Sequence, residues 1–186
     1  AVNQHTDALR LSGETAYGKY PIEAIATMTR VAAEVEKSLV NSYVTPAIEA
    51  EVTSFLSRQA VASSKILGTR AIITDSYTGR TARYISSYRG SYPTLAICYH
   101  DHVVRLLALS YGVLAVYQHS MGSSRGYIKN ALEHLIDSGR LTRQDRIAYL
   151  GGAFGAGHGT SFLEINRVGE IMDNYQSFNL PNLELG

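Results

Sequence analysis

The sequence predicts an α/β fold in which a mostly parallel sheet of five strands lies between helices, in three layers. Three short apolar runs, at residues 71–73, 94–99 and 113–117, alternate with stretches of helical character. Connections of that length join neighbouring parallel strands. Hydrophobic residues make up 45% of the 186-residue chain and charged residues 18%, which is the composition of a globular protein with a buried core.

The first 40 residues predict a small unit of one strand, one turn and one helix. Residues 7–11 are typical of a short strand, small residues continue to Gly18, and a helix opens at Tyr20 and Pro21. Proline is favoured at the first helical position, where its missing amide would have no partner anyway. One strand and one helix cannot bury an apolar face alone, so we expect this unit to pack against other parts of a protein.

A cluster of Asn, Ser, Thr and Pro at residues 41–46 predicts a hinge. We therefore divide the chain into domains 1–40 and 41–186. The second domain is predicted to open with a helix over residues 47–67, which Gly68 ends.

The remaining elements follow in order along the second domain. Helices are predicted over residues 79–88, 102–111 and 124–138, between and after the three apolar runs. Two further strands, at residues 146–150 and 161–166, are joined by a glycine-rich loop. Because this connection is short, we expect these last two strands to be antiparallel.

Charge and cysteine content exclude several classes of protein. The net charge is +1 with scattered Lys and Arg, so we expect neither nucleic acid nor a membrane surface as a partner. The single Cys98 excludes a disulfide framework and favours a reducing cytosol. No window reaches about 18 apolar residues, and residues 1–10 lack the features of a secretion signal. The abrupt start, without Met or leader, predicts a piece of a longer chain.

The strongest candidate site is the segment at residues 74–81. It combines a strand end rich in hydroxyls with Gly79, Arg80 and the start of a helix. Amides at a helix N-terminus, hydroxyl donors and a guanidinium together suit a phosphate group. The alternative interpretation is that Thr78 only caps the helix while Arg80 points into solvent. Asp75 at the same place is expected to repel an anion.

The loop at residues 151–159 contains five glycines. Its backbone amides could approach a second phosphate, or the loop could close over a ligand, but simple hairpin flexibility explains the glycines equally well. A dinucleotide-binding fingerprint requires a helix directly after the glycines, and here a strand follows.

Four histidines are candidates for metal ligands: His100, His102, His119 and His134. Their spacing with cysteine and acidic residues matches no known set of metal ligands. We therefore interpret them as surface or structural groups and predict no metal site.

Two segments of the chain resemble a known family. Residues 7–24 contain Leu-Ser-Gly-Glu-Thr-Ala, then Gly, Tyr-Pro and Glu-Ala. This run resembles the end of the catalytic barrel of pyruvate kinases, where it forms the eighth strand, its loop and the eighth helix. Thr-Gly-Arg-Thr-Ala at residues 78–82 and Ser-Tyr-Arg at residues 87–89 resemble the first turn and helix of that family's C-terminal domain.

The resemblance implies a C-terminal regulatory α/β domain preceded by one β-α unit of a TIM barrel. The parent would be a glycolytic phosphotransferase that moves phosphate from phosphoenolpyruvate to ADP, giving ATP and pyruvate, with magnesium and potassium as cofactors. In the family, earlier barrel strands supply the catalytic residues. We therefore assign no catalytic residue, metal ligand or cofactor to this chain, and expect it to be inactive alone.

The resemblance also implies a site and partners. In the family, the loop after the first strand of this domain holds a phosphate of a sugar-phosphate or nucleotide effector. The positions that match are Ser76, Thr78, Gly79, Arg80 and Thr81, and a second, flexible effector loop would include Gly155, Gly157 and Gly159. Family members are cytoplasmic homotetramers whose C-terminal domains pair, so the implied partners are the rest of the chain, further copies of it and a phosphorylated small molecule.

Two other interpretations have less support from the sequence. The chain could be a stand-alone module that binds a phosphorylated metabolite, although such a module has no use for the lone strand and helix of residues 1–40. A Rossmann-type dehydrogenase lacks support, because its glycine fingerprint does not follow the first strand.

Overall fold

The structure is a computed structural model of the chain. It describes residues 1–38, 46–47, 50–119, 124–152 and 159–176. The chain divides into two compact units, Ala1–Thr45 and Pro46–Gly186. Apart from Pro46, the hinge predicted at residues 41–46 lies outside the described residues, so the domain boundaries drawn from the sequence stay a prediction.

The first unit contains helices but no strand in its described part. It consists of a 3-10 turn at Val2–Gln4 and two helices, α1 at Gly13–Ala16 and α2 at Pro21–Ser38. The strand predicted at residues 7–11 is not formed. A strand takes its hydrogen bonds from a neighbouring strand, and the described residues of this unit offer none.

Helix α2 begins at Pro21, as predicted. Three of its large apolar side chains are exposed, among them Ile22 at 72% and Val31 at 57%, and the helix has no buried residue. Charges at its two ends contribute to its stability. Glu23 in the first turn and Lys37 in the last turn complement the helix dipole.

The second unit alternates helices and strands in the predicted order. Its helices are α3 at Val52–Leu67, α4 at Arg80–Ser87, α5 at Asp101–Leu107, α6 at Ser124–Asp137 and α7 at Val168–Gln176. Its strands are β1 at Ala71–Ser76, β2 at Thr94–Cys98, β3 at Val113–Tyr117, β4 at Arg146–Gly152 and β5 at Thr160–Arg167. None of the described helices is both long and apolar enough to cross a membrane.

The five strands form one sheet in the order β3-β2-β1-β4-β5. Strands β1 to β4 are parallel, and β5 is antiparallel to β4, as the short connection predicted. Strand β1 is central, with Ile73 opposite Leu95 on one side and Tyr149 on the other. The carboxyl ends of four strands consequently meet at one edge of the sheet.

Helices cover both faces of the sheet, which confirms the three-layer arrangement. Ile73 of β1 lies in a buried cluster with Leu132 of α6 and Ile171 of α7. Its neighbour Ile72 points to the other face and packs with Ile85 of α4. Burial of each side chain of this size contributes roughly 1.5–3 kcal/mol to the free energy of unfolding, relative to leaving it exposed. Packing of both helical layers therefore stabilises the sheet.

Three helices differ from the predictions. Helix α5 ends at Leu107, although the sequence predicted a helix up to residue 111. Helix α3 begins at Val52, five residues later than predicted, because Glu51 takes the N-cap position. Helix α7 was not predicted, although Val168, Ile171 and Met172 are all buried against the sheet. Those residues share one face of a short helix, and a single face of nine residues is a weak periodic signal.

Candidate functional site

The candidate site is the loop between the central strand β1 and helix α4. Strand β1 ends at Ser76 and α4 begins at Arg80, so residues 77–79 form the whole connection. Loops at the carboxyl ends of parallel strands are where ligands bind in open α/β sheets. This short connection brings together all five residues predicted to bind phosphate: Ser76, Thr78, Gly79, Arg80 and Thr81.

Ser76 fixes the shape of this loop. Its side chain is buried, and its Oγ accepts a hydrogen bond of 2.8 Å from the backbone N–H of Gly79. Gly79 occupies the N-cap position of α4, so the interpretation in which Thr78 caps the helix is wrong. Thr78 is exposed at the outside of the loop.

Gly79 is required by both backbone conformation and space. Its φ is +77°, in the left-handed region, and a Cβ at this position would lie 3.1 Å from Cδ2 of Leu107. The loop can therefore pass close to α5 and turn directly into α4. The first amides of a helix have no partner within the helix, so α4 presents its positive end at this loop.

Arg80 extends from the first position of α4, and half of its side chain is exposed. Its Nη2 atom lies 3.6 Å from Oε2 of Glu51. Its guanidinium carbon lies 5.6 Å from the centroid of the Tyr84 ring, within the range of a cation–π contact. Arg80 is thus an exposed cation with an anionic neighbour from the same unit, not a side chain alone in solvent.

Glu51 caps α3 through its carboxylate. Oε1 accepts a hydrogen bond of 3.1 Å from the N–H of Thr53, and Oε2 accepts one of 3.1 Å from the N–H of Ser54. Burial acts to raise the pKa of Glu51, but the hydrogen bonds from Thr53 and Ser54 and the charge of Arg80 outweigh it, and the pKa lies below its ordinary value. Glu51 therefore carries its negative charge at neutral pH.

Thr81 connects α4 to the last strand of the sheet. Its Oγ1 lies 2.8 Å from Oγ1 of Thr160, the first residue of β5, and each of the two residues is only 8% exposed. Thr160 follows the glycine-rich loop directly. The hydroxyl pair therefore attaches the end of that loop to the start of α4.

The glycines predicted for a second effector loop are described only in part. Gly155 and Gly157 lie outside the described residues. Gly159 is described, and a Cβ there would lie 3.3 Å from Oγ1 of Thr53 at the start of α3. A Cβ on Gly152 would overlap the carbonyl oxygen of Gly159, so the two strand ends approach as closely as glycine allows.

Asp75 lies on the other face of the sheet from Ser76, because successive side chains of a strand point to opposite faces. The hydroxyl of Tyr149 donates a hydrogen bond of 3.4 Å to Oδ1 of Asp75. Burial raises the pKa of Asp75, although the hydrogen bonds from Tyr149 and Tyr99 oppose this. Because the side chain of Asp75 points to the other face of the sheet, the repulsion that we expected between Asp75 and an anion near Ser76 is weakened.

The histidines take part in ring contacts and hydrogen bonds. His100 and His102 stack with ring centroids 5.4 Å apart, and His100 meets the ring of Tyr77 edge-on at 5.8 Å. Nδ1 of His119 lies 3.4 Å from the hydroxyl of Tyr117. Within the described ranges, no group of three His, Cys, Asp or Glu side chains could hold a metal ion.

Cys98 is fully buried in β2. Burial raises the pKa of its thiol to about 11, which keeps it uncharged at neutral pH. This is the environment of a structural thiol rather than a nucleophile.

Glu51 and Thr160 belong to the site but were not predicted from the sequence. Glu51 lies two residues before Thr53, and glutamate is not one of the usual N-cap residues, so the local sequence predicts a helix from residue 47 rather than a start at Val52. Thr160 offers no comparable signal, since its partner Thr81 is 79 residues away. The arrangement as a whole offers a helix N-terminus, a guanidinium and an exposed hydroxyl to an anion.

Comparisons with known proteins point to one family. The family model described as "Pyruvate kinase, alpha/beta domain" matches residues 55–166. The pyruvate kinase of Bacillus licheniformis is 34% identical over 176 residues, which cover 92% of this chain and 30% of that protein. The pyruvate kinase of Borreliella burgdorferi is 34% identical over 174 residues, which cover 90% of this chain and 36% of that protein.

Solved structures agree with these relatives. A crystal structure of Cryptosporidium parvum pyruvate kinase is similar to this chain with a TM-score of 0.67 and 29% sequence identity. The match covers 85% of this chain and 32% of the solved one. The chain therefore spans about a third of the length of the proteins that it matches.

Proposed function

The chain belongs to the pyruvate kinase family, and on that premise we propose that it is the effector-binding and assembly domain of such an enzyme. The parent transfers phosphate from phosphoenolpyruvate to ADP in the cytoplasm. Its catalytic residues and its magnesium and potassium ligands lie in the part of the relatives that this chain does not cover. The chain alone is inactive in this proposal and binds a phosphorylated small molecule that regulates the parent.

The observation that supports this proposal is the positive end of α4 at the carboxyl edge of the sheet, with Arg80 beside it. A phosphate placed there accepts hydrogen bonds from the first amides of α4 and from the guanidinium. Thr78 has an exposed hydroxyl on the same loop and donates a further bond. The effector is accordingly a sugar phosphate or a nucleotide, held by its phosphate group.

The predicted site residues divide into two roles in this proposal. Thr78, Arg80 and the backbone after Gly79 contact the phosphate. The hydroxyl oxygens of Ser76 and Thr81 already take part in internal hydrogen bonds, so these two residues position the loop and the start of the helix.

Calorimetric titration of the chain with ribose 5-phosphate, glucose 6-phosphate, fructose 1,6-bisphosphate and AMP tests the proposal. Arg80→Ala should weaken the binding of the effector by about 1–3 kcal/mol, roughly 5- to 150-fold in Kd, because it removes a charged hydrogen bond. Arg83→Ala is the matched control, since Arg83 is an exposed arginine of the same helix. Equal affinity of both variants, or no binding of any compound, contradicts the proposal.

Assembly into a homo-oligomer is the second part of the proposal. Phe55 of α3 and Phe162 of β5 are exposed aromatic side chains on two elements that contact each other. Burial of such side chains between copies of the chain favours association. Sedimentation equilibrium should show an oligomer that Phe55→Ser weakens, whereas a monomer at every concentration contradicts this part.

A stand-alone module that binds a phosphorylated metabolite would use the same loop. The uncovered apolar face of α2 favours the domain of a larger enzyme, because the rest of a barrel would bury Ile22 and Val31. Calorimetric titration gives the same result for a stand-alone module and for a domain of a larger enzyme. The two differ in whether α2 packs against a barrel. Protection of α2 from hydrogen exchange in the full-length protein, and its loss in this chain, supports the larger enzyme.

A further inference from the structure

We propose that the amino edge of the sheet is a docking surface for an acidic polypeptide segment, whose carboxylates pair with Arg70, Arg146 and Arg167. These three side chains are called the arginine strip below. The strip lies at the edge opposite the phosphate site proposed at α4, and its role does not depend on that site.

The arginine strip crosses three neighbouring strands. Arg146 begins β4 and is the register partner of Arg167, the last residue of β5. On the other side of Arg146, Arg70 directly precedes β1, and its backbone N–H donates a hydrogen bond of 2.7 Å to the carbonyl oxygen of Arg146. Neighbouring strands are about 4.8 Å apart, so the three backbone positions span roughly 10 Å. All three residues are exposed.

This arrangement is electrostatically unfavourable within the chain. Arg146 and Arg167 lie directly opposite each other, and like charges at such cross-strand positions destabilise a sheet. Among the residues that the structure describes, no carboxylate forms an ion pair with the strip. Arg146 donates instead to the carbonyl oxygen of Leu67, and Arg167 donates to Oε1 of Gln144, both of which are neutral. The charge of the strip is therefore left for a partner from outside the chain.

The helix beside the strip adds to the positive charge. The last residue of α3 accepts the hydrogen bond from Arg146, and α3 contains Arg58 and Lys65 but no acidic residue. Helix α4 packs against α3 and contains two arginines, again without an acidic residue. Glu51 lies at the far end of α3, at the carboxyl edge. Cations that are scattered along the sequence are thus brought together on one side of the sheet.

Two carboxylates near the amino edge are engaged within the chain. Oδ2 of Asp145 accepts a hydrogen bond of 2.7 Å from the N–H of Thr142. Both carboxylate oxygens of Asp173 accept from Nη2 of Arg143, at 2.8 and 2.9 Å. These two acids consequently hold a turn and helix α7 rather than the arginine strip.

The surroundings of the strip favour a polypeptide over a small anion. Ile66, which is 82% exposed, and Leu67 lie at the end of α3 beside the strip. Arginine next to exposed apolar side chains is typical of the surfaces that proteins bury on association. A small anion binds where donors converge in a concave site, whereas these side chains follow the edge of a sheet. An acidic segment that also carries apolar side chains fits both features.

The competing explanation is that these arginines only stabilise the fold. Arg146 satisfies a carbonyl at the C-terminal end of α3, which is a structural role in itself. Arg70 and Arg167 separate the two explanations, because neither of them takes part in that cap. Loss of Arg167 also removes the repulsion with Arg146, so a docking role predicts weaker binding without a loss of stability.

Fluorescence anisotropy with a labelled peptide of alternating glutamate and leucine measures the binding. The same peptide with glutamine in place of glutamate shows the dependence on charge. The test variant combines Arg70→Gln with Arg167→Gln. The control combines Arg83→Gln with Arg105→Gln, which changes the net charge equally at exposed arginines of α4 and α5. Thermal melting checks each variant, and Arg70→Gln alone serves for the comparison if the double variant does not fold.

The glutamate peptide is expected to bind with an affinity that falls as salt is raised. The test variant should raise its Kd about fivefold and the control by less than about twofold, while the melting temperature of the test variant stays equal or rises. Absence of binding, equal binding of the glutamine peptide, or equal weakening in both variants overturns the docking surface. Binding of phosphatidylserine vesicles in place of the peptide assigns the strip to a membrane and overturns the acidic partner.

Discussion

The hydrogen bond between Thr81 and Thr160 makes the attachment of β5 to α4 directly measurable. Thr81→Val replaces the hydroxyl by a methyl group of similar size. The hydroxyl of Thr160 then remains buried, 8% exposed, and loses the partner that lay 2.8 Å away. The cost of a buried hydroxyl left without a partner is about 1–3 kcal/mol, so we expect a loss of that size in the free energy of unfolding.

The double variant Thr81→Val with Thr160→Val separates this cost from any effect of the substitutions themselves. Removing both partners leaves two apolar groups in contact, which is close to neutral. The double variant should therefore be less destabilised than the sum of the two single variants, with a coupling energy of at least about 1 kcal/mol.

Urea unfolding followed by far-UV circular dichroism provides the measurement, because the chain contains no tryptophan. Thr142→Val is the control, since Thr142 is an exposed threonine of the same unit and its change should stay within about 0.5 kcal/mol. Strict additivity of the two single variants would refute the reasoning, because it would mean that the two hydroxyls do not interact.

Two further changes test the loop and its neighbourhood. Gly79→Ala and Gly112→Ala both place alanine at positive φ, at a cost of about 1–2 kcal/mol, but only the new Cβ at residue 79 meets Leu107. Thermal melts should therefore show the larger loss for Gly79→Ala, and equal losses contradict the packing. Because the pKa of Asp75 is raised in the folded chain, stability falls as pH rises from about 3.9, the ordinary carboxyl pKa, through the raised value. Asp75→Asn should remove this fall, so the stability of the variant relative to the original chain should be greater at pH 7 than at pH 4. Identical profiles of stability against pH for the two proteins would contradict the raised pKa.

Much of the second unit follows from patterns of local sequence. The apolar runs and the residues that interrupt them predicted all five strands, and Gly68 with its φ of +63° ends α3 as predicted. In the first unit, by contrast, the strand predicted at residues 7–11 is not formed. A strand depends on a partner that local sequence does not supply, and the described part of the first unit has none.

In the candidate site, too, the local sequence predicted the elements but not the contacts between distant residues. The sequence predicted a helix start at Gly79 and Arg80, next to the end of a strand. In the structure Gly79 is the N-cap of α4 and Arg80 is its first residue. The neighbours of these residues come from distant parts of the chain. Glu51 meets Arg80, and Thr160 meets Thr81, only because the sheet brings α3, α4 and β5 together, and no local pattern encodes such contacts.

The phosphate site that we propose at the start of α4 can be tested directly by NMR. NMR spectra of the isotope-labelled chain, recorded during a titration with ribose 5-phosphate, locate the binding site by its backbone N–H signals. We predict saturable shifts concentrated at Gly79, Arg80 and Thr81, with a smaller response at Thr160. The absence of shifts, or shifts concentrated on another face of the sheet, would contradict the account.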